Sequence, residues 1–329
     1  MYTIIKGIYE RKLMNQKRAQ ELIKHMVEDK DNGLKLMKNL SLSDSIYLVA
    51  DILKNCILKA NEIGRETDAN YFAQVIDNFR PIVLDKIKKA DRLWIIYCDS
   101  TGYPYELDTD MLVLFDYMNH KDIIQKLETA GFKVTLMDVD NEKFKNEVSH
   151  MYRNGYKSIR FIDGKCAPFV VAREELYSHQ EFFKEDYITN PALQQTMISF
   201  FQEFRKKGEL TARINMVESR QNKMMKNLLH AEFMVPCTKI ETEEEVEITH
   251  PFIDLSDKVE SKDGKPVIAI PAFTDGFELD KCYIGKNETM LLSFKELAKL
   301  VEELEASGII INCLGISYFM DKEVISKIV

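Results

Sequence analysis

The chain has 329 residues, with 45 Lys and Arg against 53 Asp and Glu for a formal charge of −8; 45% of residues are hydrophobic and 30% charged. These are the proportions of a globular protein of about two domains, and they exclude a disordered chain, a collagen-like chain and a basic nucleic-acid coat. The longest purely apolar runs, such as Ile309-Ile310-Ile311, are far below the ~20 residues of a membrane span. The opening MYTIIKGIYERKLMNQKR carries charge too early for a secretory leader, so a cytoplasmic protein with no membrane contact is expected.

Residues 1–89 read as a helical N-terminal region. Ser43 is the expected cap of a helix whose apolar positions are Ile46, Val49, Ala50, Leu53 and Ile57, the stripe of an amphipathic helix. Ser41 and Asp44 also stand near capping-box spacing, and Gly64 is expected to end the helix. A further helix covers about Tyr71 to Lys89, with Pro81 as a kink or boundary. The segment before residue 40 is lysine-rich and also reads as helix.

From residue 90 the pattern changes. Leu93–Tyr97 is a β-branched and aromatic run, hence a strand. Asp99-Ser100-Thr101-Gly102-Tyr103-Pro104 is a turn, and Met111–Phe115 a strand buried on both faces. A helix from Asn119 to Gly131, a strand at Val134–Met137, a helix ending at Gly155 and strands at Ile159–Ile162 and Phe169–Val171 complete the unit. Residues 178–222 return to helix as a connector, starting at an Asn190 cap followed by Pro191. Leu193, Met197, Phe200, Phe201 and Phe204 form one apolar face that reads as core packing and not as a cofactor box. Within 205–226, seven cations stand against Glu209 and Glu218, so 7 − 2 = +5 locally. A solvated helix face explains that run.

The last hundred residues repeat the pattern of 90–177. Counting from Asp140, Phe144, Val148, Met151 and Gly155 lie at offsets 4, 8, 11 and 15; counting from Ser293, Leu297, Val301, Leu304 and Gly308 lie at the same offsets. Ser293 with Glu296 makes a capping box, and both glycines suit a left-handed position after a helix. Ile159–Ile162 parallels Ile309–Leu314, Phe169–Leu176 parallels Tyr318–Ile325, and Met111–Phe115 parallels Val267–Ile270. Asn119 with Asp122 and Ile123 parallels Asp275 with Glu278 and Leu279. Ala90–Cys98 parallels Ala231–Cys237. Matches in order at similar spacing point to a duplicated domain. The second copy has 28 residues between Cys237 and Pro266 where the first has 12 between Cys98 and Met111. The extra, acidic stretch around Glu241–Glu247 is expected at the surface, with alternation at Val246 and Ile248 allowing a hairpin arm. The fold class expected is α/β (α+β): two related sheet-and-helix sandwich domains, preceded and joined by helical segments.

The second copy resembles the N-terminal domain of the SseB (enhanced serine sensitivity) family. The resemblance covers 223–329 and rests on Leu228–Pro236, then Gly264-Lys265-Pro266-Val267-Ile268-Ala269-Ile270-Pro271-Ala272-Phe273-Thr274-Asp275, then the Ser293–Gly308 helix and Ile309–Asn312. Residues 90–177 look like a diverged member in which Phe115-Asp116-Tyr117-Met118 stands for Pro-Ala-Phe-Thr. The resemblance implies a cytoplasmic bacterial α/β protein and supplies no catalytic residues.

Phe273, Thr274 and Asp275 follow a buried strand, where α/β proteins place ligands, and they are the candidate binding residues. The simpler reading makes Asp275 or Thr274 a helix cap, with Glu278 completing a capping box. No catalytic residue, metal site or cofactor is expected. The six histidines show no HxxxH, and Asp108/Asp110 and Asp138/Asp140 lack a third ligand. There is no GxGxxG, GxxxxGK[ST] or GxSxG. Six cysteines without a CxxC, Cys282 and Cys313 being nearest in sequence, read as buried thiols in a reducing compartment. The function expected is a non-enzymatic interaction or regulatory protein with a protein partner. The alternative is an enzyme or sensor of a small metabolite, perhaps related to serine. A nucleic-acid binder using 205–226 comes third, disfavoured by the net charge.

Overall fold

The computed structural model describes residues 21–25, 28, 30–183, 188–241, 246–261, 264–283 and 288–328; the expected helix before residue 40 therefore lies partly outside the described residues. The chain is a mixed α/β protein that divides into two compact units. The first takes the described residues of 1–97, 107–150 and 157–182; the second takes those of 98–106, 151–156 and 183–329.

In the first unit, helices α1 (Lys30–Lys38), α2 (Leu42–Tyr47), a π-helical stretch Leu48–Leu53, α3 (Lys54–Glu62) and α4 (Glu66–Lys88) precede the sheet. Ser41, not Ser43, caps α2: its side chain accepts from the Asp44 N–H at 3.1 Å. Ile46, Val49, Ala50 and Leu53 are buried, Ile57 is half-buried, and Gly64 ends the run at φ +71°. Pro81 lies inside α4, which runs through it to Lys88, so it is not a helix boundary. Its ring is on the exposed side, while Phe79, Val83 and Ile87 on the other face are fully buried. Burying three such side chains at about 1.5–3 kcal/mol each exceeds the ~3 kcal/mol an interior proline costs.

The sheet of this unit has the order β3–β1–β2–β4–β5, with β1 Leu93–Cys98, β2 Asp110–Leu114, β3 Val134–Val139, β4 Ser158–Ile162 and β5 Phe169–Ala172. β1 and β2 are antiparallel (Trp94 opposite Leu114), β2 and β4 parallel (Met111 opposite Ile159), and β4 and β5 antiparallel (Ile159 opposite Val171). All five residues of β2 are buried, as a central strand covered on both faces requires. Helices α5 (His120–Thr129) and α6 (Asn141–Asn154) connect the strands, and Asp140 caps α6 by accepting from the Lys143 N–H at 2.9 Å. Arg80 of α4 holds Glu175, in the short helix α7 (Arg173–Leu176), through two bonds of 2.6 and 2.8 Å. This pair ties the helices of 30–88 to the first sheet.

The second unit holds α8 (Pro191–Phe204), α9 (Ile214–Leu228), β6 (Glu232–Glu241), β7 (Val246–Thr249), β8 (Ile253–Asp254), β9 (Ile268–Ala272), α10 (Gly276–Asp280), β10 (Glu288–Ser293), α11 (Phe294–Glu303), β11 (Gly308–Ile311), β12 (Tyr318–Asp321) and α12 (Lys322–Ile328). β9 and β11 are parallel (Ile270 opposite Ile309), and β11 and β12 are antiparallel (Ile309 opposite Met320). β10 pairs β6, which reaches β9 through a Met234–Phe273 bridge. The strands form two sheets, β8–β9–β11–β12 and β10–β6–β7, and the path β10–β6–β9–β11–β12 across that bridge follows the order β3–β1–β2–β4–β5 of the first unit. β6 and β7 form a hairpin (Thr238 opposite Thr249) whose tip, 242–245, lies outside the described residues. Ile240 and Ile248 stand 47% and 40% exposed, so this arm is peripheral.

The strand registers shift the helix equivalence that the sequence spacing suggests. Ile159 and Ile309 hold the same place in their sheets, which sets Ser158 against Gly308, inside a strand. The left-handed residue that closes the helix is Gly155 (φ +77°) after α6 and Glu305 (φ +52°) after α11, each three residues before the following strand. Counted from there, buried Phe144, Val148 and Met151 match buried Phe294, Ala298 and Val301. Leu304 is only half-buried. The two helices differ by about one turn at the start; Leu297 and Val301 are buried as the count from Ser293 expects, and the count fails only at Leu304 and Gly308. Gly308 is a glycine for another reason: a Cβ there would overlap the Met320 carbonyl oxygen of β12.

Candidate functional site

The strand end after β9 leads into a buried polar cluster of the second unit. Phe273, Thr274 and Asp275 are each 0% exposed. Phe273 exchanges two backbone hydrogen bonds with Met234, both 2.9 Å. Thr274 donates its N–H to Asn312 Oδ1 at 3.0 Å, and Asn312 Nδ2 donates back to Thr274 Oγ1 at 3.0 Å. Asn190, expected to cap α8, makes no side-chain cap; its amide donates to the carbonyls of Glu232 and Thr274, both at 2.7 Å.

Asp275 is the cap of α10, its Oδ1 accepting from the Glu278 N–H at 3.0 Å. Glu278 does not complete the expected capping box. Its carboxylate accepts instead from the Tyr103 hydroxyl at 2.6 Å, Arg153 Nη1 at 3.0 Å and Lys281 Nζ at 2.8 Å. Arg153 Nη1 also lies 3.4 Å from Asp275 Oδ2. The side chains of Arg153, Asp275 and Glu278 are 3%, 0% and 0% exposed. Phe277 lies 4.1 Å beneath the Arg153 guanidinium and 5.0 Å from Lys281 Nζ, a cation–π geometry on both.

Two cations therefore meet two carboxylates, which is how a buried charge becomes tolerable. Burial pushes the Asp275 carboxyl above its usual range, opposed by Arg153. Burial and the neighbouring Glu278 push the Tyr103 phenol up, so its hydroxyl stays a donor. Burial pulls Arg153 down, but Asp275 and Glu278 more than restore it. The arrangement is charge-balanced and closed by the chain's own groups. Chemically it locks the helix start in place; none of its candidate residues reaches solvent. Arg153, Tyr103 and Lys281 were not legible as members from sequence. The only local signal was the alternation of Asp275, Glu278 and Lys281 along one short helix.

The remaining sequence candidates are also held by neighbours. In the first unit Asp110 pairs with Arg160 at 2.6 Å and Asp138 with Arg92 at 3.2 Å. Among the described residues no group of three His, Cys, Asp or Glu is placed to hold a metal. In the second unit Arg205 donates to the carbonyls of Ser100 and Ser317, Arg213 to those of Glu203 and Lys206, and Arg220 to that of Ser199. Lys206 pairs with Glu203 at 3.0 Å. Four of the seven cations of 205–226 thus have partners within the unit, Arg220 joining α9 to α8.

The open concavity is in the first unit. A cleft of about 810 Å³ runs between the C-terminal end of α4, the cap of α2 and the sheet, lined by Ser41, Ser43, Lys86, Arg92, Trp94, Asp116, Tyr117 and Met118 among others. Trp94 and Tyr117 have ring centroids 5.1 Å apart, and Tyr117 stacks on His120 at 3.7 Å. Tyr117 and Met118 are 37% and 46% exposed. The cations of the cleft are already engaged: Lys86 donates to the carbonyls of Lys38 and Leu40, Lys89 pairs with Asp85, and Arg92 with Asp138. Asp91 and Asp116 have no ion-pair partner among the described residues. No protein-family model, curated protein or solved structure matches this chain.

Proposed function

We propose that the chain is a non-enzymatic interaction or regulatory protein built from tandem SseB-like domains, and that the cleft of the first unit is its binding face. The observation that carries this reading is the contrast between two strand ends. The one at Phe273–Asp275 is sealed by its own chain. Its counterpart at Phe115–Met118 opens into a cleft with two aromatic rings and an exposed methionine. Adaptable Met and rigid aromatics are what binding surfaces use. The cleft is lined by Asp85, Asp91, Asp116 and Asp138 against Lys86, Lys89 and Arg92, so 4 − 3 leaves it one negative charge in excess. A partner segment carrying Lys or Arg next to apolar residues suits it, the cation resting over Trp94 or Tyr117.

Trp94 is the chain's single tryptophan, so its emission reports on the cleft directly. Synthetic peptides pairing Lys or Arg with aliphatic residues are titrated against the protein, with acidic peptides as controls. A saturable change with the basic set, weakened by salt and at least ~10-fold weaker in Tyr117→Ala and Asp91→Asn, supports the reading; that factor is about 1.4 kcal/mol. No response to any peptide, or saturable turnover of a metabolite that these substitutions abolish, overturns it.

A further inference from the structure

Cys282 and Cys313 stand 31 residues apart in sequence, yet their sulfurs are 2.9 Å apart in the second unit. Both are free thiols and both are half-buried, so neither is sealed from solvent. Cys282 sits in the turn that ends α10, where its N–H donates to the Leu279 carbonyl at 2.9 Å. Cys313 follows β11 and Asn312, itself in a left-handed conformation at φ +49°. Its side chain packs against the apolar cluster of Leu255, Val267, Ala269 and Ile310. Each thiol is therefore placed by a different element, Cys282 by the turn after α10 and Cys313 by the end of β11.

We propose that Cys282 and Cys313 form a thiol–disulfide exchange site, oxidised by low-molecular-weight disulfides of the glutathione type. The site goes beyond the binding role and does not depend on it, being in the other unit from the cleft. In the first step the Cys282 thiolate attacks one sulfur of the small disulfide; a protein–small-molecule mixed disulfide forms and one small thiolate leaves. In the second, Cys313 gives up its proton and its sulfur attacks Cys282. The Cys282–Cys313 bond forms as the mixed disulfide breaks, and the second small thiolate leaves. The two thiol protons end on the two released small thiols, so two protein thiols are oxidised and one small disulfide is reduced. Burial and the hydrogen bond to Cys282 push the Cys313 thiol up to about 12, so Cys313 stays protonated during the first step and the first attack falls to Cys282. The bond would join the end of α10, which carries Glu278, to the loop after Asn312, which holds Thr274. Oxidation would thereby tighten the two segments that enclose the buried polar cluster.

The test uses the full reduced chain incubated with graded ratios of oxidised to reduced glutathione, followed by alkylation and peptide mapping. The expected result is loss of two of the six thiols together, a cross-link joining the peptides of Cys282 and Cys313, no retained glutathione, and reversal by dithiothreitol. Cys313→Ser should instead keep one glutathione on Cys282. Should that variant fold poorly, mapping of the wild-type chain decides without it. Three results overturn the proposal. One is glutathione retained on the wild-type pair. Another is cross-links that join other cysteines at similar yield. The third is thiols that stay reduced at a ratio sufficient to cross-link the same chain in denaturant.

Discussion

Arg153 and Glu278, 125 positions apart in the chain, meet at 3.0 Å with both side chains out of water. Arg153 comes from the last turn of α6, and Glu278 from the capped helix α10. Their contact lies within the second compact unit, because that unit takes in 151–156.

Removing Arg153 takes away the cation that faces Asp275, while Glu278 keeps Lys281 and Tyr103. Arg153→Met should destabilise the second unit by about 3–5 kcal/mol, read as a shift in the urea unfolding midpoint. Arg153→Met with Asp275→Asn should recover part of that loss, since the carboxylate left without a cation is neutralised while its cap oxygen is kept. Equal stability of the single variant and the parent would mean that the cluster contributes no more than a surface pair.

Gly155 and Glu305 occupy the same left-handed position after their helices. Gly155→Ala should cost at least ~2 kcal/mol, because φ is +77° and the new Cβ would come within 2.7 Å of Gln195 Cβ and overlap the Pro191 carbonyl oxygen. Glu305→Gly should stabilise by ~1 kcal/mol, since it relieves the same strain where the side chain is exposed. Thermal unfolding of both variants checks the pair; a change of the same sign in both would contradict the assigned equivalence.

Glu175 and Asp275 should respond to pH with opposite sign. The Arg80 hydrogen bond holds the Glu175 carboxyl below its unfolded value of 4.5. Between the two values the unfolded chain binds more protons, so the stability this group contributes is present above 4.5 and lost as the pH falls through its folded value. Asp275 is raised by burial above 3.8; its folded form binds the proton more tightly, and its contribution declines as the pH rises from 3.8 through the raised value. Unfolding of Glu175→Gln and the parent, followed between about pH 7 and pH 3, should show a gap that is largest near neutrality and closes in acid. A gap constant with pH would show that the carboxylate charge is not what Arg80 recognises.

Local pattern reached a long way in this chain. The fully apolar run Met111–Leu114 could only be a strand covered on both faces. Ser293 with Glu296 named its capping box because both partners lie within one turn, and Asp140 and Asp275 named their caps for the same reason. Such features depend on bonds between residues three or four apart, which sequence spacing states directly. Where two local signals competed, the tertiary structure chose: Ser41 over Ser43 at the start of α2, and Pro81 inside a helix because the buried face opposite it continues on both sides.

The sequence by itself determined the mixed α/β class and the alternation of strands and helices, because these follow from the period of apolar residues. It did not determine which strand end is open. Phe273–Asp275 read as a site by position, and whether that position is filled depends on Arg153 and Tyr103 arriving from elsewhere in the chain. The helix equivalence between the copies was decided in the same way, by strand register and not by counting from a cap. The pairing of Cys282 with Cys313 needed the folded chain too, since 31 residues of intervening sequence carry no distance information. Buried charge and sulfur contacts are set by long-range packing, whose energy depends on three-dimensional neighbours that periodicity does not encode.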